Sequence, residues 1–148
     1  MITPYLIFNG NCKEALTFYQ EVFGHPADMV QPYGEYVPEG LTDVPRDLKD
    51  WIIHAQMEIC GTPVWFADEA ADPAKRGDNI RLTVTVPTKK EAQEIFERFG
   101  EDVCVKLPPT QTFYSTFHAE IFDRYGIGWN IVAEEAPTKF ADDQIPAV

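Results

Sequence analysis

The sequence predicts an α+β fold built as two tandem βαβββ copies, and three recurrences predict it. Glu14-Ala15 and Phe23-Gly24 bracket a helical pattern and recur as Glu91-Ala92 and Phe99-Gly100, 77 and 76 positions further on. Each pattern follows an apolar run, Pro4–Phe8 in one half and Leu82–Val86 in the other. His54-Ala55 and Trp65 recur as His118-Ala119 and Trp129, in both cases after 64 positions. Two half-sized copies leave a groove between them as a natural place for a small molecule.

The first copy opens on the strand Pro4–Phe8. Asn11 has N-cap chemistry and Glu14 stands three residues on, the spacing of a capping box. Ala15, Phe18, Tyr19, Val22 and Phe23 form the stripe of a helix packed on one face, and Gly24 is placed to end it in a left-handed conformation. Trp51–Ile59 alternates as a strand, with Ile53, Ala55, Met57 and Ile59 on one face and Ile52, His54, Gln56 and Glu58 on the other. Gly61-Thr62-Pro63 turns the chain into the short strand Val64–Ala67.

The second copy repeats this order. After Leu82–Val86 comes a helix with Thr88 as cap, Glu91 as its box partner and Ala92, Ile95, Phe96 and Phe99 as its stripe, stopped by Gly100. Asp102–Val105 is a strand before the Pro108-Pro109 break. Ser115–Phe122 alternates, with Thr116, His118, Glu120 and Phe122 on one side. Asp123–Gly126 is a turn, and Ile127–Ala133 closes the copy. Since helix features recur at about 76 and strand features at 64, the first copy holds about 12 extra residues, which fall in Gln31–Asp50. That stretch, rich in proline and acidic residues, is either a lid or contact surface or an inert solvated insertion. The expected organisation is one domain over 1–135, with module one at 1–68 and module two at 79–133, and a loosely ordered tail at 136–148.

Composition narrows the function classes. A chain of 148 residues with 45% hydrophobic and 13% aromatic content can bury a proper core. No apolar run approaches the roughly 20 residues that cross a membrane, and the N-terminus lacks the pattern of a signal peptide, so a cytoplasmic protein is expected. A net charge of −12 with only 12 Lys+Arg disfavours nucleic acid. Cys12, Cys60 and Cys104 make no CxxC or zinc spacing and read as reduced thiols. The phosphate-loop, dinucleotide, zinc-protease and nucleophile-elbow signatures are all absent.

With these elements placed, the residues Thr3–Asn11, Glu14-Ala15 with Phe18-Tyr19, His54-Ala55, Thr112-Phe113 and Asp123–Trp129 carry a resemblance. The chain resembles the vicinal oxygen chelate superfamily of glyoxalase I, bleomycin-resistance proteins and extradiol dioxygenases, and more narrowly its PhnB-like branch. The match spans about residues 2–133. Tyr114 stands where the family pattern usually has Trp, and Ala119 where it has Gly, which implies a different ligand preference. The resemblance implies a curled mixed sheet around a shared cavity and a homodimer. Metal-dependent members carry His or Glu ligands at positions that fall here on Pro4, Arg81 and Asn130, with Asp68 as a nearby acid. Proline has no side-chain donor, arginine is a permanent cation, and an amide oxygen is a weak ligand. The expectation is therefore no metal and no cofactor. Proteins of this branch have carried a methyltransferase label, but nothing here resembles a glycine-rich S-adenosylmethionine loop.

Candidate chemistry centres on His54 and His118, at matching positions in the two copies, with Glu120 two residues after His118. Either they are general bases near neutral pH, or they are hydrogen-bonding residues that merely record duplication. Arg81 could bind a carboxylate or phosphate, or pair with Asp68, Asp78 or Glu58. Tyr5, Trp65, Phe113 and Tyr114 are candidate ligand liners beside Asn130, although most of the aromatics are expected in the core. Three functions remain in view, and whether the protein is an enzyme stays open. The first is small-molecule binding without a catalytic metal. The second is a metal-dependent lyase or dioxygenase with rearranged ligands. The third is a non-catalytic interaction module.

Overall fold

The computed structural model describes residues 1–35 and 46–138. Its contacts divide the chain into two units, Met1–Lys75 and Arg76–Val148. The first contains β1 (Tyr5–Phe8), α1 (Cys12–Phe23), β2 (Asp28–Pro32), a single 3-10 turn at Arg46–Leu48, β3 (Ile52–Ile59) and β4 (Thr62–Asp68). The second contains β5 (Arg81–Val86), α2 (Lys89–Arg98), β6 (Cys104–Thr110), β7 (His118–Phe122) and β8 (Gly128–Ala133). Each unit is βαβββ, as the repeat predicts. Both sheets are four-stranded and mixed, in the orders β1-β4-β3-β2 and β5-β8-β7-β6. In each, the first strand runs parallel to the last and the other neighbours are antiparallel.

The two helices start by different means. Thr88 caps α2 with the expected box: its side chain accepts from the Glu91 N–H, and the Glu91 carboxylate accepts from the Thr88 N–H. Asn11 makes no such bond to α1. Asp68, at the end of β4, replaces it. One oxygen of Asp68 accepts from the N–H groups of Gly10 and Cys12 at 2.7 and 3.0 Å, and the other from Ile52 N–H at 2.8 Å. A carboxylate brought by tertiary contact thus satisfies the helix N-terminus, where negative charge is also favoured by the backbone dipole. Gly24 ends α1 at φ 75°, its N–H bonded to Gln20 O, as expected.

A single helix covers one face of each sheet. α1 lies on β3 and β4, burying Ala15, Leu16, Tyr19 and Val22 against Phe66, Ala55 and Met57; α2 lies on β5 and β8, burying Ala92 and Ile95. Fully burying a side chain the size of Phe66 contributes about 1.5–3 kcal/mol. Ile52 is buried although alternation puts it on the polar face, because β3 begins at a register shift against β2 and its N–H is drawn to Asp68.

Other boundaries differ for identifiable reasons. The hairpin between β3 and β4 turns on Cys60-Gly61, both at positive φ, with Ile59 paired to Thr62, so Pro63 belongs to the strand. β6 runs through Pro108-Pro109 rather than stopping before them. It is an edge strand with register shifts, where missing N–H donors are tolerated. β7 starts only at His118, and beyond β8 the N–H groups of Glu134 and Glu135 donate to Val86 O and Pro87 O. Half of the stretch expected to hold the insertion, at 36–45, and the end of the tail, at 139–148, lie outside the described residues.

Asp68→Ala leaves three backbone N–H groups without their acceptor, two of them buried. Each such loss costs about 1–3 kcal/mol. Urea unfolding should therefore show a loss of about 3 kcal/mol or more; a loss below about 1 kcal/mol would remove Asp68 from this role.

Candidate functional site

In the second unit the face of the sheet away from α2 is polar, because successive residues of β5, β8 and β7 alternate sides. Thr83, Asn130 and Glu120 form one row across the strands, and Arg81, Gly128 and Phe122 form the next. Gly128 matters here. A Cβ at this position would lie 2.8 Å from the Arg81 side chain and 2.9 Å from Phe122. Its absence lets the guanidinium lie across the strand, 5.2 Å from the Phe122 ring centroid. Lys106 on β6 brings its ammonium to 5.8 Å from the same ring.

These residues form a connected chain. Arg81 is 3.4 Å from one oxygen of Glu120, and the other oxygen is 4.0 Å from His118 Nε2. His118 Nδ1 shares a 2.5 Å hydrogen bond with the Tyr114 hydroxyl. Phe113 meets the Tyr114 ring edge-on at 5.0 Å. Asn130 donates to Thr83 Oγ1 at 3.3 Å. Among the described residues, the Oδ1 atom of Asn130 and Nε2 of His118 are buried without a hydrogen-bond partner. Arg81 therefore pairs with Glu120 rather than with Asp68, Asp78 or Glu58.

The first unit gathers a different set. Trp65 meets His54 edge-on at 5.1 Å and Tyr5 at 5.8 Å, and the Tyr5 and His54 centroids are 6.4 Å apart. His54 and His118 do hold corresponding positions, one residue before the alanines that pair with Phe66 and Ile131. The tryptophan correspondence fails. Trp65 is 40% exposed on the polar face, whereas Trp129 is 1% exposed in the core. A five-residue turn replaces the two-residue turn of the first hairpin, which shifts the last strand by one position and exchanges its faces.

Asp123 organises that longer turn. Its carboxylate accepts from the N–H groups of Tyr125 and Ile127 and from Trp129 Nε1. Lys106, Phe122 and Thr83 were missed in the sequence. Ending β6 at Val105 hid the side on which Lys106 falls, alternation had put Phe122 on the His118 side without a role, and only cross-strand pairing puts Thr83 beside the candidates. An open groove of about 280 Å³ between α2 and the end of β6, lined in part by Lys89, Gln93 and Pro109, contains none of them. We place the site on the polar chain instead, because it joins a cation, a carboxylate, an imidazole and a phenol in sequence.

Residues 1–132 match the family described as 3-demethylubiquinone-9 3-methyltransferase. The chain belongs to this family. Its fold is that of the vicinal oxygen chelate superfamily, as the resemblance implied. A curated member-like relative, protein YjdN of Escherichia coli K12, is 23% identical, covering 93% of this chain and 99% of its own. Protein PA1353 from Pseudomonas aeruginosa is 30% identical with a TM-score of 0.78, covering 90% of this chain and 97% of that one. A PhnB protein from Bacillus cereus is 22% identical with a TM-score of 0.72, over 89% and 98% of the two chains, and so shares the fold.

The superfamily's metal positions are poorly suited to a metal in this member of the family. Pro4 offers no side-chain donor and its carbonyl accepts from Trp65 N–H. Arg81 is a cation, and Asn130 offers at most an amide oxygen. Asp68 is held by three backbone N–H groups. Among the described residues, no three His, Cys, Asp or Glu side chains are grouped to hold an ion.

The thiols give a further check on the structure. Cys12 is buried, and burial, followed by the nearby Asp68 charge, pushes its thiol far above the ordinary cysteine range. Cys60 and Cys104 are exposed. A colorimetric disulfide reagent at pH 8 should titrate two thiols in the native protein and the third only after denaturant. Rapid reaction of all three would contradict the burial of Cys12.

Proposed function

We propose that this protein binds a small molecule, carrying an acidic group beside a flat apolar or aromatic part, on the polar face of β5, β8 and β7, without a catalytic metal. The observation that carries this reading is the Arg81–Glu120–His118–Tyr114 chain, in which His118 Nε2 and the neighbouring Asn130 Oδ1 are buried without a hydrogen-bond partner. Two cations, Arg81 and Lys106, flank the Phe122 ring, and Glu120 offsets one of them. An anion next to an aromatic wall matches that arrangement. His118 Nε2 and Asn130 Oδ1 suit a ligand hydroxyl, which can accept from one and donate to the other.

Membership of a family described by a methyltransferase activity does not by itself assign that activity. Methyl transfer from S-adenosylmethionine needs a place for the donor, and no glycine-rich loop follows a strand in this sequence. The lyase or dioxygenase alternative lacks support from the ligand positions. The interaction-module alternative rests on Gln31–Asp50, half of it outside the described residues. No helix among the described residues is long and apolar enough to cross a membrane. Homodimerisation belongs to the same proposal, and light scattering across a concentration series tests it.

Thermal-shift titration with benzoate, salicylate and phenylphosphonate tests the ligand reading. At least one probe should stabilise the protein, and Arg81→Ala should weaken it by about 10-fold or more, the size of a charge-assisted hydrogen bond. Stabilisation indifferent to Arg81 would move the site elsewhere. Elemental analysis of untagged protein is the second arm. Stoichiometric manganese, iron, nickel or zinc would replace this reading with the metal-dependent one.

A further inference from the structure

We propose that the phenol of Tyr114 is the reactive group of this face, a nucleophile whose proton His118 accepts. The inference deepens the ligand reading by naming the chemistry of the same site, and its test does not require the ligand. The relevant geometry is a nucleophile, a base and an orienting group in sequence. The Tyr114 hydroxyl is 2.5 Å from His118 Nδ1, while a Glu120 oxygen lies 4.0 Å from Nε2 on the opposite side of the ring. A carboxylate on that side favours the tautomer with its proton on Nε2. Nδ1 then carries the lone pair, so the phenol donates to it. Arg81, 3.4 Å from the other Glu120 oxygen, holds the carboxylate in place.

Exposure is arranged in the same order. Tyr114 is 46% exposed, whereas the His118 side chain is 16% exposed, so the nucleophile meets the outside and its base lies behind it. The loop that presents Tyr114 is pinned at the next residue. Ser115 is fully buried, its hydroxyl shared between the carbonyls of Phe117 and Ala133 at 2.7 and 2.6 Å. Its N–H donates to Thr112 Oγ1, and Thr112 N–H donates back to its carbonyl. Phe113 and His118 both meet the Tyr114 ring edge-on, which fixes its plane.

Tyr5 is a control within the same chain. It is 48% exposed and lies near a histidine, but its contact with His54 is ring to ring at 6.4 Å. Burial, then Cys12 and Glu69, pushes its phenol above the ordinary range, so it stays protonated. Equal exposure with and without a base at the hydroxyl separates activation from accessibility.

The corresponding step is a substitution at an electrophilic acyl, phosphoryl or sulfonyl centre. The phenol oxygen bonds to that centre, its O–H breaks with the proton passing to Nδ1, and the leaving group departs with its electron pair. Glu120 stabilises the imidazolium that results. A substrate with such a centre and an acidic group would use Arg81 and Lys106 for anchoring.

Aryl sulfonyl fluorides test this on the full chain. With benzenesulfonyl fluoride, the S–O bond forms as fluoride leaves, and peptide mass spectrometry locates the label. Tyr114 should be labelled about 10-fold or more faster than Tyr5, within the range of general base assistance. His118→Gln should remove that advantage, and Glu120→Gln should reduce it several-fold; Tyr114→Phe should leave no label at this position. Circular dichroism checks that each variant folds, and Glu120→Gln carries the test if His118→Gln does not. Equal labelling of Tyr114 and Tyr5, or a Tyr114 rate unchanged by a folded His118→Gln or Glu120→Gln variant, overturns the proposal. Para-carboxybenzenesulfonyl fluoride separates the two readings. If it gains nothing over the neutral reagent and is indifferent to Arg81→Ala, anion binding fails while the activated phenol stands.

Discussion

Among the described residues each unit has four strands and one α-helix, and that ratio governs where chemistry can sit. A helix can cover one face of a sheet of this width, so the apolar residues of alternate positions gather beneath it. The intervening residues must then occupy the other face. In the second unit they include Arg81, Thr83, His118, Glu120 and Asn130. The same alternation that builds the core therefore assembles the candidate site without a separate structural element.

The Arg81–Glu120 pair is suited to function more than to stability. Its side chains are 35% and 26% exposed and 3.4 Å apart. Partly solvated pairs of this kind contribute about 0–1 kcal/mol. Replacing such a contact by a ligand's anion sacrifices little folding stability, whereas loss of the Asp68 bonds would remove acceptors from buried backbone donors. The two carboxylates thus differ in consequence although both are paired. Asp68 ties β4 to α1 and β3, and Glu120 stands between a cation and a histidine at a surface.

The fold also separates ancestry from chemistry. The matching strand orders and the paired alanines after His54 and His118 carry the duplication, yet the surroundings of the two imidazoles have diverged. His54 sits against aromatic rings, and His118 bridges a phenol and a carboxylate. Equivalent backbone positions do not imply equivalent chemistry, because a side chain's properties depend on its neighbours across the sheet.

The βαβββ repeat, both helices and the cap of α2 are legible in the chain, because helix periodicity, strand alternation and local capping involve residues within a few positions of one another. The sequence also singled out His118, Glu120, Arg81 and Tyr114, though not the bonds between them. Long-range packing makes Asp68 rather than Asn11 the cap of α1, puts Trp129 in the core while Trp65 is exposed, and lets Arg81 cross Gly128 to reach Glu120. Those outcomes depend on strand register, hairpin length and the space left by a missing side chain, which are set between segments distant along the chain.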